Sequence, residues 1–168
     1  MEYLNHYVSP LGRITLAGDE NALTGLWFDG QKHYAATLER NSLEKELPIF
    51  EVAKRWLEIY FNGFEPDFVP ALNPKIFGFR REVWETLLTI PYGQVVTYGE
   101  IAERIAARRG TQRMSAQAVG GAVGRNPIAL IVPCHRVIGA KGKLGGYAGG
   151  IDKKQKLLAL EGVFIGKS

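Results

Sequence analysis

Asn126-Pro127-Ile128-Ala129-Leu130-Ile131-Val132-Pro133-Cys134-His135-Arg136-Val137 carries the only cysteine of the chain, set between a proline and a histidine. The apolar run over 129–132 predicts a short buried strand leading into Cys134. One cysteine forms no internal disulfide and no cysteine cluster for zinc or iron–sulfur. His6, His33 and His135 are too scattered in sequence to suggest a metal site by spacing. The thiol is therefore either an inert core residue or a reagent. A free cysteine ionises at about pH 8.5, so only a minor fraction is nucleophilic thiolate at neutral pH. A neighbouring histidine can take its proton, and Arg136 or a helix N-terminus can stabilise the anion. Adjacent residues of a strand face opposite ways, so Cys134 and His135 meet only at a bend or through a water. Buried cysteines are mostly inert, and the pair alone leaves both readings open.

Upstream, Thr97-Tyr98-Gly99-Glu100 is a capping box, a threonine that caps a helix and a glutamate that reaches back. It predicts a helix over 98–107 with Ile101, Ala102 and Ile105 facing inward. A polar connection over 108–113 follows, and Ser115 caps a second short helix over 116–123, closed by Gly124. Two short helices joined this way suggest a helix-turn-helix, although the connection is longer than that motif usually has. The second helix, Ala116-Gln117-Ala118-Val119-Gly120-Gly121-Ala122, has almost no side chains that read base edges. Such a smooth face suits close approach to a minor groove, with Arg108, Arg109, Arg113 and Arg125 on phosphates. It suits tight helix packing in a core equally well. Further helices are predicted over 79–89, with Val83, Trp84, Leu87 and Leu88 on one face, and over 153–161.

The front of the chain reads differently. Residues 2–28 predict three strands, 3–8, 13–17 and 22–28, separated by turns. A short helix is expected over 31–40, and another over 49–61 that buries Val52, Ala53, Trp56, Leu57 and Tyr60. The segment 64–74 holds three prolines and no helical period, and reads as an extended linker. Two parts follow: an α/β unit over 1–72 with a small antiparallel sheet, and a mostly helical unit over 76–168. The 168 residues are 46% hydrophobic and 23% charged, a folded rather than a disordered composition. No apolar run is long enough to span a bilayer, no secretion signal is visible at the N-terminus, and a cytoplasmic protein is the default. Residues 1–74 hold 6 Lys+Arg against 11 Asp+Glu, whereas residues 75–168 hold 15 against 6. An acidic front and a basic back suggest a polyanionic partner for the second part, nucleic acid first. A solvated basic surface explains the charge as well.

The context of Cys134 narrows these alternatives. Pro133-Cys134-His135-Arg136-Val137 resembles the active-site motif of the O6-alkylguanine-DNA alkyltransferases. The resemblance extends through Ile90-Pro91-Tyr92-Gly93, Thr97-Tyr98-Gly99-Glu100-Ile101-Ala102, Ala118-Val119-Gly120-Gly121-Ala122, Asn126-Pro127 and Gly146-Tyr147-Ala148-Gly149-Gly150. It ends at Lys156-Leu157-Leu158-Ala159-Leu160-Glu161. It is strong over 77–162 and weaker in the β-rich front. It implies a ribonuclease H-like N-terminal unit, a C-terminal unit containing a helix-turn-helix, and irreversible transfer of an alkyl group from O6-alkylguanine to Cys134. By the same resemblance His135 deprotonates the thiol through a water, Glu161 orients the imidazole, and Asn126 ties the helix pair to the active-site strand. Tyr98 donates to guanine N3 and helps to rotate the 3′ phosphate.

The DNA-contacting residues so implied are Thr97, Ser115, Ala116, Gln117, Gly120, Arg125 and Arg136, and the alkylguanine pocket is formed by Val137, Gly146, Tyr147 and Ala148. The base must leave the stack, since a thiol does not reach O6 inside a duplex. The implied partner is double-stranded DNA containing O6-alkylguanine. No cofactor and no metal are expected, no membrane partner, and a monomer. Two positions depart from the family pattern. Gln117 stands where many members carry an arginine that fills the gap left by the flipped base, and Ala148 stands where a pocket serine is common. Three rivals remain in view: a Cys134–His135 thiol hydrolase, which needs an oxyanion hole the sequence does not declare; an alkylated-base recognition protein; and a helix-turn-helix regulator.

Overall fold

The computed structural model describes residues 1–166. The chain divides into two compact units, Met1–Lys75 with Pro127–Ile131, and Ile76–Asn126 with the residues from Val132 on.

In the first unit, alternation and turn chemistry make a meander. β1 (Tyr3–Ser9) and β2 (Gly12–Gly18) pair antiparallel from Ser9↔Gly12 to Tyr3↔Gly18. Ser9 closes that hairpin, its Oγ bonding the Gly12 carbonyl at 2.6 Å and the Leu11 amide at 3.1 Å. Asp19 turns the chain again by accepting from the Asn21 and Ala22 amides, both at 2.8 Å, an Asx-type turn. β3 (Leu23–Phe28) then pairs with β2 and is buried along its whole length. Gly25 is required there, because a Cβ would stand 2.1 Å from the Trp27 ring. Leu26 also exchanges backbone hydrogen bonds with the Pro127 carbonyl (2.8 Å) and the Ala129 amide (2.9 Å), which is what assigns Pro127–Ile131 to this unit.

The sheet order is β3-β2-β1-β4, and β4 (Leu43–Glu44) runs parallel to β1. The sheet is therefore mixed, not purely antiparallel as expected. The long connection from β3 allows this, since parallel neighbours need a crossover rather than a tight turn. That connection is not the helix expected over 31–40. His33 and Ala35 take left-handed φ values of 59° and 52°, and the backbone closes successive four-residue turns instead. α1 (Pro48–Phe61) starts on a proline and buries Ile49, Phe50, Ala53, Trp56, Leu57 and Tyr60. Val52, expected on that face, is exposed. Each large apolar side chain buried here contributes about 1.5–3 kcal/mol.

In the second unit, α2 (Gly78–Leu87), α3 (Tyr98–Arg109) and α4 (Ala116–Val123) pack on one another. Val83, Trp84, Leu87, Ile101, Ile105, Val119 and Val123 form the buried faces. The expected caps are present. Thr97 Oγ1 accepts from the Glu100 amide at 3.0 Å while Glu100 reaches back to the Thr97 amide, and Ser115 Oγ accepts from Ala118 at 3.1 Å. β5 (Val96–Thr97) and β6 (Val137–Ile138) pair parallel. α5 (Ile151–Leu160) lays Leu158 against Ile138 and Leu144. The strand expected over 129–132 does not form. Ile128 makes a single bridge to Leu26, and Leu130 has φ +69°, which no strand tolerates. Among the described residues no helix is long and apolar enough to cross a membrane.

Candidate active site

Cys134 opens a 3-10 turn, Cys134–Arg136, rather than sitting in a strand. Pro133, at ψ 63°, bends the chain into it, and the Cys134 amide bonds the Val132 carbonyl at 2.8 Å. Consecutive side chains of such a turn are about a third of a revolution apart, so Cys134 and His135 do not point to opposite faces. Asn126, two residues after α4 closes, donates from Nδ2 to the Val132 carbonyl at 2.9 Å. This buried contact joins the end of α4 to the backbone just ahead of the nucleophile. Burial pushes the thiol above its ordinary value. Hydrogen bonds from Asn126 and Tyr147 and the charge of Lys154 pull the other way without reversing it. The resting group is therefore a thiol, and a base is required.

Next to Cys134 in sequence, His135 is paired with Glu161. The His135 ring is fully buried, and its Nε2 lies 2.6 Å from Glu161 Oε2. Burial alone would raise the Glu161 carboxyl, but its bonds and charge attraction with His135 and Arg136 hold it at about 2. The dominant effect on His135 is also burial, which lowers it, and Glu161 only partly compensates. Both shifts describe one state: carboxylate ionised, imidazole neutral. An ionised carboxylate accepts only, so Nε2 carries the proton and Nδ1 presents its lone pair as the base. Glu161 is fixed in turn, since the Gly93 amide donates to Oε1 at 2.9 Å.

Arg136 completes this network and corrects an expectation. It was grouped with the DNA-contacting residues, yet it is buried. Its Nε donates to Glu161 Oε1 at 2.8 Å, Nη2 to Oε2 at 3.3 Å, and Nη1 to the Ile90 carbonyl at 2.7 Å. A guanidinium buried on a carboxylate and a carbonyl is not presented to a phosphate at the surface.

On the other side of the thiol stand aromatic rings and a glycine-rich loop. Tyr98, first residue of α3, places its hydroxyl 3.4 Å from the Gly146 carbonyl. Burial and then Cys134 raise its pKa, so it is a neutral donor. A Cβ on Gly145, which has φ +73°, would stand 3.3 Å from the Tyr98 ring, so loop and ring fit only with glycine there. Gly120 of α4 faces the same ring, with room for a Cβ at 3.7 Å. The Tyr147 hydroxyl is buried beside the Cys134 thiol, to which it donates. Burial first, then Cys134, hold it well above the usual phenol value. Ala148 is half-buried in the same loop, and Val137 is fully buried beside the turn.

One residue of this side was not singled out from the sequence. Lys154 on α5 is fully buried, and its Nζ donates to the Val137 carbonyl at 2.6 Å and the Gly146 carbonyl at 2.9 Å. Its neighbours in sequence, Asp152-Lys153 and Gln155-Lys156, look like the solvated face of an ordinary helix. Only the helical offset from Leu157 and Leu158 hinted that it faces inward.

The remaining predicted residues lie apart from the thiol. Ser115, Ala116, Gln117 and Arg125 are exposed along and just after α4, and Thr97 caps α3. Of the four arginines proposed for phosphates, Arg108 bonds Thr86 and Arg109 pairs with Glu82 at 2.5 Å. Arg113 and Arg125 are exposed. Among the described residues no group of three or more His, Cys, Asp or Glu is arranged to hold a metal ion.

Two family models match the chain: "6-O-methylguanine DNA methyltransferase, ribonuclease-like domain" over residues 3–72, and "6-O-methylguanine DNA methyltransferase, DNA binding domain" over residues 78–163. The chain is 47% identical over 153 residues to the methylated-DNA–protein-cysteine methyltransferase of Mycolicibacterium paratuberculosis, covering 91% of this chain and 88% of that one. It is 46% identical over 161 residues to the protein of the same name from Methanosarcina acetivorans, covering 95% and 98%. Among solved structures, Mycobacterium tuberculosis OGT in complex with DNA matches with a TM-score of 0.82 and 44% identity, over 95% of this chain and 92% of that one.

Proposed function

This chain belongs to the 6-O-methylguanine DNA methyltransferase family, and on that premise we propose that it repairs DNA by moving the alkyl group of O6-alkylguanine onto Cys134. The observation that carries the reading is the buried Cys134 followed directly by a neutral His135 whose Nε2–H rests on the ionised Glu161. His135 Nδ1 takes the thiol proton through a water. The thiolate attacks the alkyl carbon in line, the carbon–O6 bond breaks, and its electron pair returns to the guanine. Tyr98 donates to guanine N3 as the base departs, and the proton first taken from the thiol balances the restored guanine. The product is a thioether, so each molecule reacts once and needs no cofactor. Asn126 holds the backbone ahead of the nucleophile, and Val137, Gly146, Tyr147 and Ala148 wall the alkylguanine pocket.

The substrate is double-stranded DNA, entered from the minor groove by α3 and α4 acting as a helix-turn-helix. The exposed start of α4 supports this, because Ser115, Ala116 and Gln117 leave little to obstruct close approach, with Gly120 half-buried behind them against the Tyr98 ring. Thr97 and Arg125 flank it as backbone contacts, whereas Arg136 acts inside the protein through Glu161. Gln117 fills the space of the flipped base without an arginine's charge. Residues 1–72 form a ribonuclease H-like domain and 76–168 the DNA-binding and alkyl-acceptor domain, of a monomeric cytoplasmic protein.

Intact mass and peptide mapping after incubation with a duplex carrying one O6-methylguanine test the reading, with Cys134→Ser alongside. One methyl on the Cys134 peptide, one per protein and absent from the variant, is expected. An unchanged mass with selective lesion binding would make this a recognition protein instead.

A further inference from the structure

Lys154 is a buried cation that the transfer chemistry above does not use. Its ammonium touches two carbonyls and lies 5.9 Å from the centre of the Tyr98 ring, and among the described residues no carboxylate pairs with it. As a structural tie alone this is a costly choice, because a buried charge without a counter-ion loses its hydration and recovers only part of it from carbonyl dipoles. The two carbonyls identify its neighbourhood. Val137 lies three residues beyond the nucleophile, and Gly146 belongs to the pocket loop and also accepts from the Tyr98 hydroxyl. The ionisable groups around it are Tyr98, whose ring lies under the ammonium, Tyr147, next in chain to Gly146, and Cys134 and His135, on both of which its charge acts. Of these, only Cys134 becomes an anion in the reaction, since both tyrosines are held neutral and His135 is neutral or cationic.

We propose that Lys154 is the counter-cation of the Cys134 thiolate and, through the Gly146 carbonyl, a positioning residue for the pocket loop. Its part in repair rests on the transfer reading above. Once His135 has taken the thiol proton, thiolate and ammonium form a buried pair. In transfer the sulfur gains a carbon bond and becomes a neutral thioether, while the electron pair of the broken carbon–O6 bond leaves on guanine. The ammonium then has no anion left. Burial lowers the Lys154 pKa to about 8, with Cys134 acting to raise it, so after transfer the ammonium keeps only its two carbonyls and the Tyr98 ring.

The test uses iodoacetamide, which reads the thiolate without DNA. Carbamidomethylation of Cys134 is followed by intact mass against pH in the parent protein, Lys154→Met and Lys154→Arg. The expected result is a thiol titration moved up by a pH unit or more in Lys154→Met. That corresponds to about a tenfold lower rate at neutral pH, and Lys154→Arg should recover a substantial part of it. A changed rate at every pH with an unmoved midpoint would reduce Lys154 to a structural tie and overturn the proposal. Should Lys154→Met not fold, Lys154→Gln, which keeps a donor for the Gly146 carbonyl but carries no charge, is read in the same way. A thiol midpoint moved up is expected, and one that stays overturns the proposal. The iodoacetamide signature without methyl uptake from the lesion duplex would instead sink the transfer reading and leave the ion pair standing.

Discussion

The two units bury different chemistry. The first is a core of Trp27, Phe28, Phe50, Leu57 and Tyr60, with Glu2 as its one buried charge, and that charge is neutralised by Lys75 at 2.8 Å. The second buries His135, Arg136, Lys154, Glu161 and the Cys134 thiol within one short turn and along or just after α5. An apolar core gains stability in proportion to the area it removes from water. A buried polar network at best breaks even, and it becomes a liability when one member is lost. The contrast separates a unit built to hold shape from one built to hold charge.

The sharpest way to break that contrast is to damage each unit once. Glu161→Gln removes the carboxylate that Arg136 and His135 share. It should cost about 3–5 kcal/mol in denaturant unfolding, as an uncompensated buried guanidinium does, and slow alkyl uptake as well. Phe50→Ala, a cavity in the first core, should cost a similar 3–5 kcal/mol while the folded fraction reacts at the parent rate. Equal losses of rate constant in both variants would erase the distinction.

Acid sharpens it next. Glu161 is held at about 2, below the ordinary carboxylate value of about 4.5. Its contribution is therefore fully present above about pH 4.5 and lost as pH falls through about 2. The shift amounts to about 3 kcal/mol. Denaturant melts between pH 5 and pH 2 should show that slope, and Glu161→Gln should flatten it. The smallest effect concerns α4. Ser115→Ala removes the bond to the Ala118 amide and should lower stability by about 1 kcal/mol. Lesion-duplex affinity, measured by fluorescence anisotropy, should fall further than that loss predicts if the start of α4 meets DNA.

Much of the second unit was legible because its signals are local. A threonine three residues before a glutamate makes its own capping box, and Ser115 caps α4, both acting over a few peptide units. Local pattern failed where a distant partner decided the outcome. The apolar run over 129–132 reads as a strand, yet Leu130 is turned left-handed, at φ +69°, while its neighbours pack on β3. Val52 fits the apolar spacing of α1 and still faces solvent, since it lies at the margin of the buried stripe.

By itself the sequence determined the caps of α3 and α4 and the family, and it singled out Cys134 and His135 as the pair to examine. All of these are written in contiguous residues or in ordered motifs. Only the tertiary structure decided what the buried charges do. It set Arg136 on Glu161 and on the Ile90 carbonyl 46 residues away, and Lys154 on the Val137 carbonyl 17 residues away. The reason is physical. A lysine or arginine reads as solvated surface from its own sequence, and whether it leaves water depends on acceptors that distant segments bring within about 3 Å.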